Sequence, residues 1–340
     1  MNGRRILMQC LVIALMSQLV ACGSPGFPAV ADLPAVPVSI GVPVVIDSVQ
    51  AHTALELTWE ISGGQNPFDV PVGVAADAEG NIYTMDTNNS RVQKFDSEGN
   101  FLLAWGSEGS GQGQFGDILN PREGHLAVDT RGHVYVIDLK NSRVQKFDNH
   151  GNYLAQWGAK GYGEGQFTQP LDIAADQQNN IYVADAGNNT IQKFDETGRF
   201  LLRWGRYGYA DGEFSDVYSV AIAPEGNVLV TDSTGRIQTF DSNGRYLSTT
   251  IPEPVDNQSV FLGSIAVDNK GDIYVADWYG KRIVKFDPEG KALAAWNGSN
   301  VSLDWSFNMQ DIAVDRQGNI YLTDGTEDLL RKFQQAPSGF

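Results

Sequence analysis

Cysteine is nearly absent from the 340 residues, occurring only as Cys10 and Cys22. The first lies inside an N-terminal apolar run that reads as a cleaved leader, so no disulfide is open to the body of the chain and its stability must come from packing. Histidine is scarce too. His52 precedes the regular part of the sequence, His133 and His150 fall in tight turns, and His125 alone starts a strand. That excludes a zinc centre built from several converging imidazoles. Basic residues number 24 against 41 acidic ones, for a formal net charge of −17. Such a surface repels phosphate backbones, which argues against nucleic acid and leaves cations or neutral and basic partners. The glycine-rich stretches, such as 106–116, carry no phosphate-loop lysine and open no helix, so they read as loops and not as a nucleotide cradle.

What is present begins with Arg4 and Arg5, followed by an apolar run over 6–20 that only Gln9, Ser17 and Gln18 interrupt. This is the pattern of a signal peptide, residues 1–21, and is too short for a spanning helix. It ends in Leu19-Val20-Ala21-Cys22, which resembles the bacterial lipobox, where cleavage falls just before a cysteine that carries lipid. The resemblance implies acylation of Cys22, palmitate included. Each buried methylene contributes about 0.8 kcal/mol, so several chains together hold firmly. Loss of the leader takes Arg4 and Arg5 with it and leaves a charge of −19. Gly23, in place of the aspartate that retains lipoproteins at an inner membrane, implies an outer-membrane position facing the periplasm in a cell that has one. Residues 22–53, with Pro25, Pro28, Pro34, Pro37 and Pro43, read as a tether.

From residue 54 to 340 the sequence repeats, and the repeat sets the fold. An apolar strand ends near Asp77, Asp129, Asp176, Ala223, Asp268 and Asp315, at intervals of 52, 47, 47, 45 and 47 residues. A second strand follows at 82–86, 134–138, 181–185, 228–232, 273–277 and 320–324, always closing on aspartate. A third appears at 91–95 and its echoes, and a fourth at 101–105 after a glycine-bearing turn. Four short strands with turns between them make one antiparallel blade, which cannot bury both faces alone. Six such units close a ring. After Phe333 no fourth strand remains, whereas residues 54–59 match 101–105, so this N-terminal segment is expected to complete the last blade and remove its open edge.

The units resemble NHL repeats, whose pattern is an apolar strand ending in aspartate, then Gly-Asn-Ile-Tyr-Val-x-Asp, then Arg-x-x-Lys-Phe. The likeness covers residues 54 to about 333. It departs at Thr190 and Leu329, which replace the arginine, at Thr239, which replaces the lysine, and in the fourth unit, which lacks the outer tryptophan. The resemblance implies an all-β, six-bladed propeller. It says little of activity, since the fold hosts RNA binders, peptide and protein binders, sensor domains and a few enzymes.

Residues that recur in blade after blade belong to the architecture. The pairs Asp86 with Arg91, Asp138 with Arg143, Asp232 with Arg236 and Asp277 with Arg282 read as cross-strand charge pairing. The recurring outer tryptophans and loop phenylalanines read as packing between blades. A site should instead use residues that the blade plan does not explain, on the face where the long connections 106–124, 158–170, 205–217, 248–263 and 297–310 emerge. Aligning the inner strands puts Gly73, His125, Asp172, Ser219, Ser264 and Asp311 in equivalent positions near the axis. Asp172 and Asp311 are the candidates for a Ca²⁺ ion at the channel mouth, with a hydrated channel as the alternative. His125, Tyr218, Trp278, Tyr279 and Trp305 are the candidates for contacting a partner, aromatic planes beside polar loops suiting sugar rings or peptide side chains.

These residues favour an envelope-anchored scaffold that binds a protein, peptide or glycan, with no nucleic acid and with the membrane reached through the lipid alone. The alternative is a metal-assisted lyase or hydrolase, similar to amidating lyases or gluconolactonases, with its site at the channel mouth. No serine or cysteine nucleophile stands out, because the mature chain's one thiol would carry lipid.

Overall fold

The computed structural model describes residues 54–64, 67–116, 124–297 and 309–336. Cys22, the leader and the tether, together with Trp305, lie outside them. The described residues form six four-stranded antiparallel sheets and no helix. Blades one to five each use four strands in chain order, and the sixth combines the last three strands with the first.

The second strand of every blade, such as Ile82–Asp86 or Val134–Asp138, is buried at all of its five positions. This is why those segments read as unbroken apolar runs: a neighbouring blade covers each face. The outer strands, such as Phe101–Trp105, alternate between half-buried and exposed, since only one of their faces meets another blade. Between blades the apolar contacts fall into successive clusters, each drawing on two neighbouring blades. The loop phenylalanines Phe68, Phe115, Phe167 and Phe214 are all buried there.

A three-residue polar unit stitches the tight-turn face. Asp77 accepts hydrogen bonds from the backbone of Glu79 and Asn81 and from the Tyr83 hydroxyl, while the Lys94 ammonium lies 5.1 Å from the Tyr83 ring and donates to the Asn149 carbonyl of the next blade. Asp129, Tyr135 and Lys146 repeat this, as do Asp176, Tyr182 and Lys193. Burial, reinforced by the facing aspartate, pushes the Tyr83, Tyr135 and Tyr182 hydroxyls above the usual tyrosine range, so they remain donors. Blade four has lost all three members together, carrying Ala223, Leu229 and Thr239. Ala223 and Leu229 join an apolar cluster with Val255, Leu262 and Ile265 instead.

The aspartate–arginine pairs face each other across the second and third strands at 2.7 Å for Asp86–Arg91 and Asp138–Arg143, and 2.8 Å for Asp277–Arg282. At Thr190, where the arginine is missing, Asp185 keeps only neutral donors, the amides of Thr168 and Gln169, the Thr168 hydroxyl and the Asn188 side chain, and burial raises its carboxyl above the ordinary value. At Leu329 the loss is made good two residues on. The Arg331 guanidinium reaches Asp324 at 2.8 Å from the same face of the strand, so blade six keeps an aspartate–arginine pair.

Strand Leu55–Ile61 pairs antiparallel with Leu329–Gln335, setting Leu57 opposite Phe333 and Glu60 opposite Arg331. The Ala336 amide donates to the Ala54 carbonyl at 2.8 Å, and the Trp59 indole donates to the Ser97 carbonyl of blade one. Deleting residues 54–60 removes Leu55, Leu57 and Trp59 and uncovers the apolar side chains they pack against, such as Phe333 and Tyr321. Each fully buried side chain of this size contributes about 1.5–3 kcal/mol, so the expected loss is roughly 3 kcal/mol or more. Calorimetry of the deletion variant checks this, and an unchanged melting temperature would show that the pairing carries no weight.

Candidate functional site

The inner strands of blades one, three, four and six share one irregularity. Their ladders with the second strand slip between Pro71 and Val74, Pro170 and Asp172, Val217 and Ser219, and Met309 and Ile312. Such a bulge leaves extra residues unpaired and re-aims their side chains. Asp172, Ser219 and Asp311 all lie at or beside these bulges, at the axis.

There they form a hydrogen-bonded belt that passes from blade to blade. The Ser219 hydroxyl and the Val220 amide of blade four donate to Asp172 of blade three. Ser219 Oγ accepts from the Ile265 amide of blade five at 3.2 Å. The Ser264 hydroxyl donates to Asp311 of blade six, and Asp311 accepts from the Val74 amide of blade one at 2.9 Å. Blade two supplies His125, whose Nδ1 lies 3.3 Å from Asp172 and 3.4 Å from Asp311, bridging opposite blades. Gly73 completes the set. A side chain there would sit 2.6 Å from the Gly124 carbonyl oxygen, so the backbone of blade two occupies the space.

Burial alone would drive His125 towards its neutral form, but the facing Asp311 and Asp172 carboxylates outweigh it and push its pKa up to about 10. The ring is therefore an imidazolium at neutral pH. Every oxygen of the two carboxylates is engaged. Asp172 Oδ1 accepts from the Ile173 amide and faces His125, and its Oδ2 accepts from Ser219 and Val220. Asp311 Oδ1 accepts from Ser264 and the Ile312 amide, and its Oδ2 from Val74 while facing His125. A Ca²⁺ ion held by Asp172 and Asp311, as the sequence suggests, would have to displace His125 from between them. Among the described residues no group of three or more His, Cys, Asp or Glu side chains is disposed to hold a metal.

Above the belt lies a pocket that opens to solvent, walled by Leu171, Tyr218, Phe261, Trp278 and Met309 with His125 and Ser264 among its polar lining. Three of the sequence candidates, His125, Tyr218 and Trp278, thus meet in one place. Tyr279 is 70% exposed and stacks on Trp278 at 4.5 Å, supporting the indole from outside without lining the pocket. Phe261 packs edge-on against Trp278 at 5.2 Å and near Tyr218 at 5.5 Å. Trp278 also rests on the core between blades five and six, so replacing it alters stability as well as the site. The sequence reading missed Leu171, Phe261 and Met309. Leu171, Tyr218, Gly263 and Gln310 each precede an axial residue by one position, so the register that found the belt also marks the pocket.

These features define a six-bladed β-propeller with a charged belt at its axis and an aromatic pocket at one mouth. The NHL repeat family matches residues 68–95, 126–147, 167–194 and 262–286, which lie in the first, second, third and fifth blades. Among curated proteins, peptidylglycine alpha-amidating monooxygenase of Rattus norvegicus is 34% identical over 33% of this chain and 12% of its own length. Protein brain tumor of Drosophila melanogaster is 30% identical over 28% of this chain and 13% of its own. This chain therefore matches only a small part of either protein. Among solved structures, virginiamycin B lyase from Staphylococcus aureus superposes with a TM-score of 0.56 at 10% identity, covering 83% of this chain and 99% of that one. A gluconolactonase from Xanthomonas campestris gives 0.55 at 13% identity, covering 85% and 88%. At such identities the likeness is one of fold.

Because the folded pKa of His125 lies above its ordinary value, the stability it brings is full below about 6.5 and is lost as pH rises towards about 10. The melting temperature should fall between pH 7 and pH 10, and fall less in His125→Gln. Nitrogen NMR of the imidazole provides a second check: both ring nitrogens should remain protonated at pH 8, whereas titration near 6.5 would rule out the bridging charge.

Proposed function

We propose that this protein is an envelope-anchored propeller scaffold that holds a partner protein by inserting one of its peptide segments into the aromatic pocket on the long-loop face. The observation that carries the reading is the pocket itself. Five large apolar side chains converge on a concave mouth in a molecule whose surface is otherwise strongly acidic. Such a concentration of aromatic area in a cleft is what anchors a partner's side chain. A catalytic reading has less support. His125 is held protonated and cannot serve as a base near neutral pH, and the carboxylates that would bind a metal are saturated. The long-loop face also offers Tyr207 and Tyr209, both well exposed, as further contact area.

A photoreactive phenylalanine analogue placed at Tyr279 should capture a distinct envelope protein from intact cells, and Leu171→Asn should reduce that capture by about tenfold or more, equivalent to 1.4 kcal/mol. Equal capture by the Leu171 variant would place the interaction elsewhere. Anchoring is tested separately. Cys22→Ser should abolish incorporation of a palmitate analogue and release the protein from the membrane fraction, while a variant that still sediments with membranes would remove the lipid anchor from the reading.

A further inference from the structure

Five side chains of the pocket lining carry a polar atom: His125, Ser264, Gln310, Tyr218 and Trp278. The Ser264 hydroxyl donates to Asp311 and accepts from the Ile312 amide. The Gln310 amide nitrogen is buried and meets no hydrogen-bond partner among the described residues. His125 is 8% exposed. Its Nδ1 faces the two aspartates, so the opposite ring edge, which carries Nε2, turns away from them. Among the described residues Nε2 has no protein partner. A ring nitrogen that no described residue engages, in a side chain bordering a cavity, is open to an acceptor that a ligand or water supplies.

We propose that the His125 Nε2–H is the hydrogen-bond donor at the floor of the pocket and that the group it takes is an uncharged carbonyl attached to an apolar body, as in the backbone amide beside an aromatic or branched side chain of a peptide. This inference rests on the pocket being the partner site and specifies what enters it. The imidazolium is always a donor at Nε2, so it selects acceptors and rejects groups that present only N–H or ammonium. Charge sets the second preference. One imidazolium lies beside two carboxylates, so the floor is net negative and a free carboxylate is disfavoured against a neutral amide. Shape sets the third. The lining is mostly apolar and suits an apolar side chain beside the carbonyl, whereas a sugar ring presents several hydroxyls that each need a partner when buried. The chemistry therefore points to an internal peptide segment, and not to a peptide C-terminus or a glycan.

The test uses the full chain labelled with ¹⁵N-histidine, which contains four histidines in all and so permits assignment of His125. N-acetyl-phenylalanine N-methylamide, N-acetyl-phenylalanine carboxylate and N,N′-diacetylchitobiose are titrated in turn, reading the His125 Nε2–H resonance and tryptophan fluorescence. The methylamide should shift the His125 resonance and quench fluorescence along one binding curve, with the carboxylate at least tenfold weaker and the disaccharide inert. If the methylamide quenches fluorescence but leaves His125 unmoved, or if the carboxylate binds as well, the role of His125 is overturned while the pocket stands. A response to the disaccharide alone overturns the ligand class. No response of either signal to any probe overturns both this inference and the pocket as the partner site.

Discussion

A blade of this protein has two apolar faces and can cover neither. That constraint governs everything else in the fold. The second strands, buried along their whole length, are stable only between neighbours, so each blade depends on the next and the ring behaves as one cooperative unit. The polar stitches follow from it. A lysine that spans to the next blade's turn, lies over a tyrosine ring and sits near an aspartate is useful only where two blades meet, and these residues come and go as a set. Blade four discards the set and fills the same seam with aliphatic side chains. Two chemical solutions, one charged and one apolar, therefore serve a single geometric need.

At the axis the same closeness creates an electrostatic difficulty. Six inner strands converge, and two of them bring carboxylates to where water is largely excluded. Two unpaired buried charges of one sign would be costly. The belt resolves this with serine hydroxyls, backbone amides and a single imidazolium placed between opposite blades. The channel thereby becomes a plugged structural element. Whatever binds must do so above it, in the pocket displaced towards blades four, five and six, where Tyr218, Phe261, Trp278 and Met309 stand.

Much of the architecture was legible because it repeats. Strand order, blade number and the separation of architectural pairs from unique residues follow from aligning the units, and the repeat alone sets Gly73, His125, Asp172, Ser219, Ser264 and Asp311 side by side. What the alignment could not supply was the protonation state at the axis. Asp172 and Asp311 suggested a metal because carboxylates near a channel ordinarily want a cation. That an imidazole lies between them depends on a 3.3 Å approach across the ring, which no spacing along the chain encodes. The ion pair of blade six is hidden for a similar reason, because Arg331 makes it from a position occupied by glutamine in four other blades. Phe261 was missed since it precedes its strand in a connection without repeat character.

The belt and the pocket also explain each other. Leu171 and Tyr218 occupy the bulged positions next to Asp172 and Ser219, so the hydrogen bonds that fix the belt also fix the direction in which these walls point. Gly263 serves the same end in blade five. A side chain there would meet Phe261 at 3.0 Å and the Trp278 indole nitrogen at 3.3 Å, so its absence lets both aromatics close over the mouth. A pocket whose walls are held by the fold's own central bonds is already shaped before a partner arrives, and little conformational freedom is lost on binding. The charge balance at the axis thus does two things with one arrangement: it removes the cost of buried carboxylates and it prepares a rigid apolar cleft at the surface above.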